Sequence, residues 1–282
     1  MTFIRIIKDK KKDKSQIIKH AAFTILLKNI IPEPDKSFKE ILDYFDKEIK
    51  LFDPSVTSSA LSNAHGDWYE WLLAIAAWNY CVENETANLA LLTPNILQFT
   101  IATLYVEKLY KLIVDLREKV HLTSSVQLIS SNPDFVIIDR TLVNKIIPKL
   151  EKISTIDESV IELIDNAYFK FIGHCEFDDI IGYMSVKSSL RPDRRLQIPH
   201  EGSLMKALYT HLQTREWIID PKGIKYYAMS IEVKPADREA LKTVATHSIT
   251  TVHSKPQAAV DEVFQVDSMQ QAQLAFQQIL NA

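Results

Sequence analysis

Three charged residues stand far apart in the chain, each where a charge costs free energy unless it is used. Asp134 follows Asn132-Pro133 and opens the apolar run "FVIID" at 135–139. A carboxylate there sits at a strand end, where a sheet edge can open into a cleft. Lys187 lies within "SVKSS", amid the apolar neighbours of another strand. Burying an ammonium in such a place demands an anionic partner. Glu201 follows Pro199-His200 at what reads as the start of a helix. The three converge if the two strands are neighbours and the helix packs on them. Two carboxylates and an amine suit a divalent cation with hard oxygen ligands, most naturally Mg²⁺, held with substrate phosphates. Such a metal polarises a phosphate and activates water, while the lysine offsets charge developing in the transition state. Taken alone, Asp134 and Lys187 read more readily as a surface salt bridge.

The arginines beyond Lys187 shift that balance. From Lys187 to Arg195 the chain holds four cations and one anion, although its formal net charge is −3. A guanidinium pairs bidentately with guanine O6 and N7 in the major groove, and a carboxylate accepts from cytosine N4. Arg191, Asp193 and Arg194 thus hold the donors and the acceptor needed to read G·C pairs. The positive charge is local because it is aimed at one duplex segment. The overall acidity excludes a protein that binds polyanions over its whole surface.

The series "NPDFVIID", "SVKSSLRPDRR" and "HEG" resembles the type II restriction endonucleases that recognise sites with a central CCGG, within the PD-(D/E)XK nuclease superfamily. By motif the resemblance spans roughly residues 60–205. The superfamily pattern wants an acidic residue two before the lysine, and this chain has Ser185 there. In the CCGG group a glutamate from the following helix replaces it, and Glu201 matches that place. The resemblance implies Asp134 and Glu201 as Mg²⁺ ligands, the Val186 carbonyl as a third, and Lys187 as the catalytic lysine. It implies Arg191, Asp193 and Arg194 as the CCGG-reading segment, here interrupted by Pro192, with Arg195 on phosphate. "NAHGDWYEW" resembles the stretch that supplies a further glutamate near the active site, which puts Glu70 in that role. Asn63 falls where the group places an amide in the minor groove. Read without the resemblance, Glu70 faces solvent as readily, Asn63 is a cap or turn residue, and His200 is a surface histidine. Arg238, in "KPADRE", is a further candidate for the outer base pairs.

The elements that must position these residues follow from periodicity. Five glycines in 282 residues point to long helices and few tight turns. Helical spacing marks 36–50, 67–83 with Asp67 as its cap, and 95–120 starting after Pro94. From 125 the pattern changes to strands at 125–139, broken by Asn132-Pro133, and at 180–189, 225–233 and 247–254. Helices are expected at 201–217, 236–244 and 268–282. The alternation predicts an α/β core with a mixed or parallel sheet, and the resemblance implies a restriction-endonuclease-like central mixed β-sheet flanked by helices. Residues 1–120 form a mostly helical N-terminal part for DNA clamping or dimerisation, and 121–282 the nuclease core with its recognition segment. The run "KDKKKDK" at 8–14 reads as a solvated segment.

Two cysteines make neither a disulfide framework nor a metal set, and the longest apolar run, 71–78, is too short for a membrane span. The expectation is a prokaryotic cytoplasmic enzyme without a membrane partner. It would cut both strands of duplex DNA at a palindrome containing CCGG and leave a 5′ overhang. A palindrome implies a homodimer or a higher oligomer. Two alternatives stay open: a non-catalytic sequence-specific DNA-binding protein, and a structure-specific repair nuclease of the same fold.

Overall fold

The chain was described as a computed structural model, covering residues 3–7, 14–96, 99–128, 132–249 and 255–281. An antiparallel pair, β1 (Ile4–Ile7) and β2 (Lys14–Ile17), precedes α1 (Lys19–Leu26), α2 (Phe38–Phe52) and α3 (Ser58–Glu83). Then come β3 (Leu89–Leu92), α4 (Glu107–Ser124), β4 (Phe135–Ile138), α5 (Arg140–Ile146) and α6 (Glu158–Asn166). The C-terminal half holds β5 (Ile180–Lys187), α7 (Pro192–Arg215), β6 (Lys225–Ser230), α8 (Pro235–Leu241), β7 (Glu262–Gln265) and α9 (Met269–Leu280).

Five strands form one mixed sheet in the order β3-β4-β5-β6-β7. β3 pairs antiparallel with β4 and β4 with β5, whereas β5, β6 and β7 pair in parallel. β3 and β4 are buried at every position, and β5 and β6 nearly so. Strands covered on both faces read as continuous apolar runs rather than alternating ones, which is why "FVII" and "YYAMS" look alike in sequence. The sheet takes β3 from the first 120 residues, so the stretches 1–120 and 121–282 share one sheet and one core.

α3 is the long inner helix. From Trp68 to Cys81 it buries almost every side chain, so it is covered on all sides. Phe45 meets Trp68 edge-on at a ring distance of 5.0 Å, and Trp68 Nε1 donates to the Lys19 carbonyl at 3.1 Å. An edge-to-face aromatic pair contributes about 0.5–1.5 kcal/mol beyond its buried area. These contacts fix the helix against α1 and α2.

Most of the expected strands and helices exist, with several displaced ends. α3 begins at Ser58, with Thr57 as its cap accepting from Ala60 N, so Asp67 is an interior residue paired to Lys19 rather than a cap. Its first turns are polar because they face a cleft, and this hid them from a search for apolar period. The 95–120 helix is two pieces, a 3₁₀ turn at Ile101–Leu104 and α4. α7 starts at Pro192 and runs through Pro199, not from residue 201. Pro192 fills the first helical position, where no N–H is needed. Pro199 gives up one internal hydrogen bond without ending the helix. Residues 247–249 lie in a 3₁₀ turn, not a strand, and the last strand is β7. Residues 125–128 have no regular structure. Residues 129–131 and 250–254 of those two expected strands, and 8–13 of the lysine-rich run, lie outside the described residues.

Candidate active site

Asp134 stands one residue before β4, at the end of the sheet where β5 finishes with Lys187. The antiparallel register sets Phe135 against Met184, and this brings Asp134 to the last residues of β5. Its Oδ2 accepts from Lys187 Nζ at 2.6 Å, from Val186 N at 2.6 Å and from Ser185 Oγ at 3.2 Å. Its Oδ1 accepts no hydrogen bond among the described residues. The "NP" before it is clamped. The Asn132 side chain accepts from Ile101 N and donates to the Phe99 carbonyl, and Thr93 bonds the carbonyls of Pro133 and Asp134. Sequence reading missed Asn132 and Thr93 in this role, because nothing local tells a clamp from a turn.

Glu201 comes to the same cleft from the interior of α7. Its Oε1 accepts from Gln197 Nε2 at 2.7 Å, one turn earlier, and its Oε2 from the Tyr226 hydroxyl at 3.0 Å. Tyr226 lies on β6 and is fully buried. Burial, then the neighbouring charges of Glu201 and Asp134, push its hydroxyl far above the usual range, so it keeps its proton and donates.

Asn63 and Glu70 lie seven residues apart on α3, two turns along one face, and both line the cleft. Burial and then the nearby Asp134 charge hold the Glu70 carboxyl well above its ordinary range, opposed in part by Lys187. Glu70 is half-buried and lines the cleft. The amphipathic, solvent-facing reading of Glu70 therefore does not describe its setting.

The arginines form the N-terminal turn of α7. Arg191 is its cap residue, and the Arg191 and Arg194 side chains both lie 3.7 Å from Asp193. Arg191, Arg194 and Arg195 line the cleft with Lys187, whereas Asp193 points out to solvent. Arg194 Nη1 donates to Gln197 Oε1 at 2.6 Å. Arg195 is committed inside the protein, donating through Nε to Asp237 Oδ1 at 2.6 Å. Arg238 is not part of this cleft: it donates to the Val263 carbonyl beside Glu262 on β7. The cleft holds about 1190 Å³ and is lined mostly by polar groups.

Two carboxylates, Asp134 and Glu201, and the main chain at Val186 thus share one wall with an ammonium. No group of three or more His, Cys, Asp or Glu converges among the described residues. That donor set is too sparse for a closed protein cage. It fits a cation that keeps water and phosphate oxygens in its shell, as Mg²⁺ does.

Residues 4–282 match the family model described as Cfr10I/Bse634I restriction endonuclease. The chain belongs to the Cfr10I/Bse634I family. It is 44% identical over 253 residues to the type II restriction enzyme Cfr10I of Citrobacter freundii, covering 89% of this chain and 88% of that one. Bse634I restriction endonuclease superposes with a TM-score of 0.87 at 32% identity over 98% of this chain and 97% of the other. A crystal structure of Bse634I with cognate DNA superposes equally well, at 30% identity over 99% of this chain and 97% of that one. This member of the Cfr10I/Bse634I family is therefore a type II restriction enzyme, a site-specific deoxyribonuclease. Among the described residues no helix is long and apolar enough to cross a membrane. Cys81 and Cys175 are buried and form no disulfide.

Proposed function

We propose that this enzyme hydrolyses both strands of duplex DNA at a palindrome containing CCGG, with Mg²⁺, and leaves a 5′ overhang. Asp134, Glu201 and the Val186 carbonyl would hold the metal, which when bound polarises the scissile phosphate and lowers the pKa of a water. Lys187 would offset negative charge growing on the phosphate, and Glu70 would act beside Asp134 on the cleft wall. Arg191, Asp193 and Arg194 would read the central G·C pairs from the major groove, with Asn63 in the minor groove. Arg195 and Arg238 are engaged within the protein, and their part in contacting DNA is confined to what their remaining N–H groups can reach. The protein would work as a homodimer or a higher oligomer, each subunit reading one half-site, with the first 120 residues contributing to clamping or pairing. Among individual members of the CCGG group the motifs suggest BsaWI.

The observation that carries this reading is the single cleft uniting Asp134, Lys187, Glu201 and the arginines of α7. A pure DNA binder has no need of the carboxylates and lysine, and a structure-specific nuclease has no need of the arginine reader. Plasmid DNA of mixed sequence, digested with Mg²⁺ and sequenced at its ends, tests it. The expected ends map to CCGG-containing palindromes with four-base 5′ overhangs. A smear, or intact CCGG sites, would count against it. Asp134→Ala is expected to abolish cleavage while a gel shift in Ca²⁺ still shows specific binding.

A further inference from the structure

Glu201 reaches the cleft from a helix, whereas Asp134 and Lys187 are set by the sheet. Something must fix the helix-borne carboxylate relative to the other two. Among the groups that donate to it, Gln197 lies on the same helix and moves with it. Tyr226 does not: it belongs to β6, which pairs directly with the strand carrying Ser185 and Lys187. On the adjacent strand, Ser185 Oγ donates to Asp134 Oδ2 at 3.2 Å. Ser185 and Tyr226 are both fully buried. Two buried hydroxyls on paired strands thus each hold one carboxylate: Ser185 that of Asp134, and Tyr226 that of Glu201. The approach of α7 to β6 also needs room. A Cβ on Gly202 would lie 2.2 Å from the Ala259 carbonyl oxygen and 3.0 Å from Tyr226 Cδ1. The first contact is with backbone and has no flexible side chain to give way.

We infer that the Tyr226 hydroxyl is a positioning group that holds Glu201 relative to Asp134 and Lys187, and that Gly202 allows the close packing of α7 on Tyr226 and the Ala259 backbone that this requires. The inference rests on Glu201 being a metal ligand. Ser185, at the site of the missing acidic residue, holds Asp134 in the same way from the neighbouring strand. Hydrogen bonds that orient a ligating carboxylate are typically worth about 10–100-fold in metal affinity or activity.

Tyr226→Phe removes one oxygen and keeps the ring. In the full-length enzyme, the Mg²⁺ concentration for half-maximal plasmid cleavage is expected to rise about 10-fold or more, with the rate largely recovered at saturating Mg²⁺. In gel shifts with a CCGG-containing duplex, the Ca²⁺ concentration for half-maximal binding should rise in parallel, while binding in EDTA stays unchanged. In a Glu201→Gln background, Tyr226→Phe should add nothing to the Ca²⁺ midpoint. Wild-type midpoints in both titrations overturn the inference. So does an undiminished effect of Tyr226→Phe without the Glu201 carboxylate, which would mark general packing. Gly202→Ala is the second variant, expected to raise the Ca²⁺ midpoint as well; an unchanged midpoint there overturns the steric half. If Glu201→Gln alone matches wild type in cleavage and in Ca²⁺ response, the ligand reading itself fails, and that failure is seen without altering Tyr226.

Discussion

At the scale of single residues, the cleft gathers groups whose charges oppose and offset one another. Lys187 touches Asp134 and is largely withdrawn from solvent, so its ammonium acts through low-dielectric surroundings. Lys187→Ala is expected to lose about 100-fold or more in kcat with a much smaller change in DNA binding, measured by single-turnover cleavage beside gel shifts. Glu70 gives a pH-dependent stability effect. Its carboxyl binds protons more tightly in the fold than in the unfolded chain, because burial and Asp134 raise its pKa. The unfolded state therefore binds fewer protons, and stability falls as pH rises above the ordinary glutamate range towards the raised value. Glu70→Gln imitates the neutral form and escapes this loss. It should melt above wild type at pH 8 and converge with it as pH falls towards 5, as thermal melts would register. An advantage that instead grew on acidification would contradict the assignment. Asp134, Lys187 and Glu201 were legible in sequence because each is a charge set against apolar neighbours or an unusual prolyl context. Tyr226 was not, since a tyrosine inside "YYAMS" looks like one more strand residue until the packing of α7 brings Glu201 over it.

At the scale of elements, α7 decides most of the site's shape. Its N-terminal turn is tied to α8 by one buried carboxylate. Asp237 is almost fully buried, accepting from Arg195 Nε at 2.6 Å and from Lys234 N at 2.8 Å. Asp237→Ala leaves Arg195 without its anion and α8 without its cap. Losing the cap alone costs about 0.5–2 kcal/mol. The melting temperature should fall by at least about 2 °C, and the ratio of cognate to one-mismatch cleavage should drop. Asp237→Asn, which keeps an oxygen for the Lys234 N–H, should recover part of the stability. Most helices and strands could be read from sequence, because apolar period survives wherever an element has one covered face. The ends could not. The first turns of α3 are polar on the cleft side, and Pro199 inside α7 imitates a helix boundary although its neighbours continue the spiral. β7 escaped notice because "EVFQ" is four residues long, too short for a period to show.

At the scale of the whole molecule, the proposed function gives the cleft at one end of the sheet one cutting site per chain. A palindromic target would then call for two chains. Static light scattering is expected to give at least twice the 32.3 kDa chain mass, at concentrations where cleavage is first order in enzyme assembly. A monomer under those conditions would contradict paired half-site reading. One further consequence follows from α7 being a single unbroken helix from Pro192 to Arg215. On the proposed reading, the residues that read the bases and the carboxylate that serves the scissile bond ride on one rod, ten positions apart from Arg191 to Glu201. Retargeting by grafting a foreign recognition loop would therefore swing the blade along with the eye. New specificities in this scaffold have to be sought by side-chain exchange on an unmoved helix.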